Sequence, residues 1–245
     1  MLSFIVPAYN EEMELPSTLS AIHAAATANS KPYEIIVVDD ASTDATAAVA
    51  VAGGARVVTI DRRQIAAARN AGAGAARGEI LFFVDADTRI APSHVAGALR
   101  ALAAGCAGGS ARVTTDGVPL WGRVFVHVFS AFYFTAANLG AGAFLFTTPE
   151  NFQAAGAFDD RLFAGEEVYF TMALKKQGQF RLLREPIVTS GRKLRMHSAW
   201  HILGRSMGII LRGKRGVRSR DKLDLWYDGK RETEMPKPSA ETVRR

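Results

Sequence analysis

The chain has 245 residues, 48% of them apolar and 22% charged, enough for one compact domain with a full core and incompatible with global disorder. One cysteine, Cys106, excludes a disulfide framework and any zinc site built on cysteines. The net charge of +6 is uneven, with 15 Lys and Arg against 6 Asp and Glu in residues 192–245 and 15 against 18 in residues 1–191, which excludes a domain basic throughout and dedicated to nucleic acid.

The N-terminal part alternates strand-like and helix-like segments. Residues 2–7 form a short apolar strand; with no basic stretch ahead of Pro7 it does not read as a signal peptide, and a soluble cytoplasmic domain is the expectation. Residues 15–28 are Ala-rich and helical. Residues 33–38 (Tyr-Glu-Ile-Ile-Val-Val) read as a buried strand closing on Asp39 and Asp40, and Ser42, Thr43 or Asp44 is expected to cap a helix over 45–52. A third strand covers 56–60, a helix 65–76, and a fourth strand 79–84, ending on Asp85-Ala86-Asp87. Strands separated by short helices imply βαβ crossovers and a largely parallel sheet, whose ligands bind beyond the carboxyl ends of the strands. The polar clusters at 7–12, 39–44 and 85–88 all fall at such ends, so they are expected to converge on one crevice.

Beyond residue 90 the pattern loosens. A helix is expected over 93–104, a Gly-containing strand over 105–115, an apolar helix over 120–137 and a strand over 143–147. A helix over 166–177 stops at Gly178, and a last strand covers 180–188. Residues 124–149 contain no Lys, Arg, Asp or Glu, but Asn138-Leu139-Gly140-Ala141-Gly142 interrupts the run after roughly 14 residues, short of the about 20 apolar residues a membrane span needs. Trp200, Leu203, Met207, Ile210 and Leu211 recur at helical spacing ahead of Arg212, Lys214, Arg215, Arg218 and Arg220. Residues 232–245 read as a frayed tail.

The strongest chemical signal is Asp85-Ala86-Asp87. Two carboxylates at this spacing beyond a strand can hold Mg²⁺ or Mn²⁺ and, through it, a diphosphate; an ordinary acidic turn is the plain alternative. Asp39-Asp40 ends another strand, and an acid there can accept a hydrogen bond from a base N–H or a ribose hydroxyl. The Gly-rich segment 72–78 has the wrong spacing for a dinucleotide loop and ends a helix instead of opening one.

Taken in order, 6–12 (Val-Pro-Ala-Tyr-Asn-Glu-Glu), 37–44 (Val-Val-Asp-Asp-Ala-Ser-Thr-Asp), 68–72 (Ala-Arg-Asn-Ala-Gly) and 83–88 (Phe-Val-Asp-Ala-Asp-Thr) resemble the N-terminal motifs of family 2 glycosyltransferases, the inverting GT-A enzymes. The later block of that family is similar to 156–160 (Gly-Ala-Phe-Asp-Asp) followed by 165–168 (Gly-Glu-Glu-Val). Each motif alone is weak; five in family order, spanning residues 3–178, carry the resemblance.

The resemblance implies an α/β fold, a GT-A-type single domain with a Rossmann-like, mostly parallel central sheet flanked by helices. Residues 1–198 would be the catalytic domain, with 1–90 the nucleotide-binding half and 91–198 the acceptor half, followed by a basic arm over 199–231. It implies a nucleoside-diphosphate-sugar donor with Pro7, Tyr9 and Glu11 at the nucleotide end, Asp40 reading the base, Arg69 near the nucleotide, and Asp85 at the ribose. Asp87 would bind Mg²⁺ or Mn²⁺. The stretch 189–195 (Thr-Ser-Gly-Arg-Lys-Leu-Arg) resembles one found in a subset of soluble members, which would set Arg192 and Lys193 against the leaving diphosphate. His197 would be a further metal ligand, or else a surface or packing residue. His23, His94, His127 and His201 have no such context and are expected to be structural.

This sequence departs from the family at the base, where Glu166-Glu167 stands for the usual Glu-Asp. Glu167 falls at the position of the base, with Glu166 as the reserve; an acidic first turn complementing the helix dipole is the plain alternative. The Gln-x-x-Arg-Trp motif and the spanning helices of processive synthases are absent from the sequence, which favours transfer of a single sugar to a lipid-linked, glycan or small-molecule acceptor. A nucleotidyltransferase and a catalytically silent nucleotide-sugar-binding protein stand as the alternatives. The uncharged 124–137 segment and the apolar-then-basic arm predict peripheral contact with a membrane; packing on the catalytic domain and a homodimer contact are the competing readings.

Overall fold

The computed structural model describes residues 1–115 and 139–191. In chain order these form β1 (Leu2–Ala8), α1 (Leu15–Thr27), β2 (Tyr33–Asp40), α2 (Thr46–Ala52), β3 (Arg56–Ile60), α3 (Ile65–Ala75) and β4 (Ile80–Val84). There follow β5 (Thr88–Arg89), α4 (Pro92–Ala103), β6 (Gly108–Thr115), β7 (Phe144–Thr147), α5 (Pro149–Ala154), α6 (Glu166–Gln177) and β8 (Phe180–Thr189). The apolar 120–137 segment, the 200–211 pattern and the tail lie outside the described residues.

The strands make one sheet in the order β3-β2-β1-β4-β7-β6-β8-β5. The first four are parallel, joined by helical crossovers, as the alternating pattern predicts. From β7 onward the sheet is mixed: β7 is antiparallel to both β4 and β6, β6 is parallel to β8, and β8 is antiparallel to β5. The mostly parallel sheet expected from the sequence is therefore present, with antiparallel pairing confined to the later half.

Side-chain alternation along the strands builds a core on each face. Phe4, Val6, Val37, Phe82, Phe144 and Phe146 pack with Leu15, Leu19 and Ile22 of α1 and Val95 and Ala98 of α4. On the opposite face Ile5, Ile36, Val38, Phe83 and Leu145 pack with Ala66 and Ala68 of α3 and Phe170 and Leu174 of α6. Neighbouring Phe82 and Phe83 thus serve different cores, Phe82 stacking on Phe4 at 4.8 Å and Phe83 meeting Phe158 edge-on at 5.1 Å. Gly72 lets α3 lie directly on the sheet, since a Cβ there would run into Ile5 and Val38.

Several local expectations are corrected. Neither Ser42 nor Thr43 caps α2: Ser42 Oγ accepts the Asn10 N–H, Thr43 bonds the Asn10 side chain, and Asp44 Oδ1 accepts the Thr46 N–H at 3.0 Å. The hydroxyls are used to bind one loop to another instead of starting the helix. The strand expected from residue 105 begins at Gly108, because Gly105 takes a left-handed turn at φ 83°. β5 and α5 were not foreseen; at two and six residues they are too short to show a period. Cys106 is buried, as expected of a small hydrophobe.

Candidate active site

The strand order reverses direction between β1 and β4, where open parallel sheets form their ligand crevice. The β1–β4 ladder ends at the Ile5–Phe83 pair, while β1 continues against β2 to Ala8. Pro7, which has no N–H to donate, sits past the end of that shorter ladder. Beyond it Asn10 adopts a left-handed φ of 50°, and the Glu11 N–H donates to Thr46 Oγ1 at 2.8 Å. Tyr9 is half-buried with the Arg63 guanidinium stacked 3.4 Å from its ring centre.

At the end of β2, Asp39 and Asp40 are both buried. Asp40 Oδ1 accepts the N–H groups of Arg62 and Arg63, each at 2.7 Å, and Oδ2 accepts that of Gln64 at 2.6 Å. These bonds order the β3–α3 loop and take three of roughly four acceptor positions on the carboxylate, leaving about one for a ligand. Asp39 Oδ1 accepts the Ser42 N–H at 3.2 Å.

The Asp85–Thr88 segment is a tight turn closed by the Thr88 N–H on the Asp85 carbonyl at 3.0 Å and held from below by Thr18 Oγ1 on the Ala86 carbonyl at 2.8 Å. The end of β8 docks onto this turn: Thr189 Oγ1 donates to Asp87 Oδ1 at 3.1 Å, and the Ser190 N–H donates to the Asp87 carbonyl at 3.1 Å. Thr189 and Ser190 are neighbours of Asp87 that the sequence does not reveal, although both lie at the start of the 189–195 stretch. Arg192, Lys193 and His197 follow them directly and lie outside the described residues.

Arg69 is the largest fully buried side chain among the described residues. Its Nη1 donates to Glu166 Oε1 at 2.6 Å, and its Nη2 donates to Asp85 Oδ1 at 2.8 Å and to the Gly142 carbonyl at 2.9 Å. The sequence placed Arg69 near the nucleotide; the structure turns its guanidinium onto two carboxylates. Burial works against its positive charge, but Asp85, Glu166 and Glu167 outweigh burial and raise its pKa.

Glu166 and Glu167 open α6 behind Gly165, whose left-handed φ of 70° turns the chain into the helix. Burial raises the Glu166 carboxyl above its ordinary range, Arg69 offsetting part of that cost and Asp85 adding to it. Burial and the neighbouring Glu166 push Glu167 up to about 8. The two carboxylates are not equivalent. Glu166 is locked against Arg69, whereas no side chain among the described residues is bonded to Glu167, which remains partly open to solvent.

Two strand-end carboxylates suit Mg²⁺ or Mn²⁺, ions that bind through one or two carboxylates together with substrate phosphates and water. One oxygen of Asp85 faces Arg69 and one of Asp87 faces Thr189, so the pair is held in place by its neighbours. Among the described residues no third His, Cys, Asp or Glu joins them, so the remaining ligands would have to come from substrate, water or residues outside the description. His23 and His94 are structural, as expected. His23 bonds the Tyr33 hydroxyl and the Gly53 carbonyl, each at 2.8 Å, and His94 Nδ1 accepts the Ala91 N–H at 2.8 Å. His127 and His201 lie outside the described residues.

The family model described as glycosyl transferase family 2 matches residues 3–158. The succinoglycan biosynthesis protein ExoO of Rhizobium meliloti is 31% identical over 228 residues, an alignment covering 86% of this chain and 63% of that protein. An undecaprenyl-phosphate 4-deoxy-4-formamido-L-arabinose transferase of Aeromonas hydrophila is 35% identical over 102 residues, covering 39% of this chain and 31% of that protein. The chain thus spans less than two thirds of these relatives. Among solved structures, a mannosyltransferase from Pyrobaculum calidifontis in complex with GDP-mannose and Mn²⁺ superposes with a TM-score of 0.65 at 23% identity, over 86% of this chain and 61% of that one. Glucosyl-3-phosphoglycerate synthase from Mycobacterium tuberculosis, in complex with Mn²⁺, UDP and phosphoglyceric acid, superposes with a TM-score of 0.62 at 20% identity, over 89% and 79%. These likenesses identify the fold as GT-A.

Proposed function

The chain belongs to glycosyltransferase family 2, and from that membership we propose that it moves a single sugar from a nucleoside-diphosphate donor to an acceptor hydroxyl with inversion. The observation that carries the reading is the linkage of Asp85, on the donor side of the crevice, to the Glu166-Glu167 pair through Arg69. Such an arrangement sets carboxylates for donor and acceptor chemistry around one opening.

In this reading residues 1–90 hold the nucleotide. Pro7, Tyr9 and Glu11 line its base end, and Asp40 offers its remaining acceptor position to a base N–H. Asp85 approaches the ribose. Asp87, with Asp85, would hold Mg²⁺ or Mn²⁺, which supplies charge neutralisation to the leaving diphosphate. Arg192 and Lys193 add positive charge there, and His197 is a further candidate ligand. Glu167, bonded to no side chain among the described residues and with a raised pKa, is the general base; Glu166 is committed to Arg69. As the acceptor oxygen bonds to the anomeric carbon from the face opposite the diphosphate, its proton passes to the Glu167 carboxylate. The anomeric C–O bond breaks, and its electron pair leaves on the diphosphate oxygen.

The acceptor is lipid-linked, a glycan or a small molecule. One relative is an undecaprenyl-phosphate 4-deoxy-4-formamido-L-arabinose transferase, and the basic arm at 199–231 would let this chain meet a lipid-linked acceptor at a membrane surface. No helix among the described residues is long and apolar enough to cross a membrane. The decisive experiment incubates the purified chain with a panel of nucleoside-diphosphate sugars and Mn²⁺ and reads nucleotide release. Release from one donor, enhanced by an acceptor, supports transfer; binding without release from any donor overturns it in favour of a silent binding protein.

A further inference from the structure

Arg69 lies at the junction of the two halves of the site, and its surroundings are unlike those of a residue that meets a nucleotide. It is 1% exposed, its fork is shared between Asp85 and Glu166, and the Phe158 ring lies 5.2 Å from its Cζ. The Gly142 carbonyl takes a further N–H, and Nε is buried with no hydrogen-bond partner among the described residues. An anion reaching this guanidinium would have to displace a carboxylate already bonded at 2.6 or 2.8 Å. The helix that carries Arg69 also grips the following block: Asn70 Nδ2 donates to the Phe158 carbonyl at 2.8 Å, and its Oδ1 accepts the Phe158 N–H at 3.0 Å.

We propose that Arg69 is a positioning residue that fixes the division of labour between Glu166 and Glu167 and ties it to Asp85, and that it does not bind the donor itself. Nη1 holds Glu166 as a fixed counter-charge at the first residue of α6. That bond sets the rotation of the helix's first turn, and with it the direction in which the next residue, Glu167, presents its carboxylate. Nη2 holds Asp85, so the donor-side acid and the proton acceptor are referred to one rigid planar group. Lysine could supply the charge but not the two-pronged geometry.

This role rests on the glycosyl-transfer reading, and the experiment separates the two. Wild type, Arg69→Lys, Arg69→Met and the charge-balanced double variant Arg69→Met/Glu166→Gln are compared for kcat and KM with the donor found in the panel. Affinity for the nucleoside diphosphate with Mn²⁺ is measured by calorimetry, and folding is checked by near-UV circular dichroism. A positioning role predicts that Arg69→Met lowers kcat by about 10²-fold with KM within about threefold, because proton transfer depends on placement. It also predicts that the double variant, which lacks the same Arg69–Glu166 bond, keeps the loss of kcat to within about threefold, and that Arg69→Lys falls between wild type and Arg69→Met. A nucleotide-binding arginine would instead raise KM and weaken nucleotide affinity with kcat retained, and recovery of kcat in the double variant would show that only the orphaned charge of Glu166 mattered; either result overturns the proposal. If Arg69→Met does not fold, the double variant and Arg69→Lys decide between the same two patterns. A wild-type chain that turns over no donor removes the function and this role with it, an outcome distinct from a KM effect in an active enzyme.

Discussion

Gln64 donates its main-chain N–H to Asp40 Oδ2 at 2.6 Å and its side-chain amide to the carbonyls of Asp160 and Leu162, the latter at 3.1 Å. One residue therefore joins the carboxylate at the end of β2 to the loop that leads into Glu166 and Glu167. Gln64→Leu keeps the volume and strands two carbonyls, one of them in a buried bond, so stability should fall by about 1–3 kcal/mol in urea titrations. Limited proteolysis should begin in the 156–165 loop. An unchanged unfolding midpoint would show that the amide contributes nothing to holding that loop.

Glu167→Gln preserves shape and removes the proton acceptor. Transfer should drop by about 10²–10⁴ while donor binding survives. If Glu166→Gln produces that split and Glu167→Gln does not, the base is the ion-paired neighbour.

Because the base acts deprotonated and Glu167 is pushed up to about 8 by burial and by Glu166, kcat/KM should rise with pH through that region and level off above it. Replacing Glu166 with Gln removes a like charge and frees Arg69 beside Glu167. Both changes favour the ionised form, so the rise should move to lower pH. A rate that is flat from about pH 6 to about pH 9, roughly two decades of the titration below that value and one above it, would exclude Glu167 as the titrating base.

Asp87→Ala should weaken Mn²⁺-dependent binding of the nucleoside diphosphate and abolish turnover, because it removes one of the two strand-end carboxylates offered to the cation. The same substitution removes the acceptor of the Thr189 hydroxyl, so the end of β8 should also exchange amide hydrogens faster. Metal-dependent nucleotide affinity equal to wild type would remove Asp87 from the ligand set.

A methyl group on Gly142 would lie 2.7 Å from Arg69 Nη2. The guanidinium is pinned by Asp85 and Glu166 and cannot swing aside, so Gly142→Ala should cost about 1–3 kcal/mol and reduce turnover together. Calorimetric melting and donor turnover measure both. A stable and fully active variant would mean that the Arg69 fork moves freely.

The arm over 199–231 should bring the chain to anionic liposomes at low salt and release it as ionic strength rises, since each basic residue near the surface is worth about 1 kcal/mol and is screened over a Debye length. Co-sedimentation with anionic and neutral vesicles across a salt series reads this directly. A chain that stays in the supernatant at low salt has no membrane role for its arm.

Much of the fold was legible in the sequence. Apolar runs such as 33–38 and 80–84, punctuated by acids, specify strands and their ends; helix α6 and strand β3 occur where the pattern puts them, Glu166–Gln177 and Arg56–Ile60. Side-chain alternation and crossover length are local properties, so they also predict a parallel first half with polar clusters gathered at one end. The tertiary structure alone decided the antiparallel insertion of β7, the use of Ser42 and Thr43 to hold Asn10, and the docking of Thr189 on Asp87. Above all it decided the partner of Arg69. The residues of that pair are 97 positions apart, and no periodicity within α3 or α6 reports which carboxylate the guanidinium will meet. That choice is made only when both helices pack on the same face of the sheet and burial forces the charge to find its counter-charges.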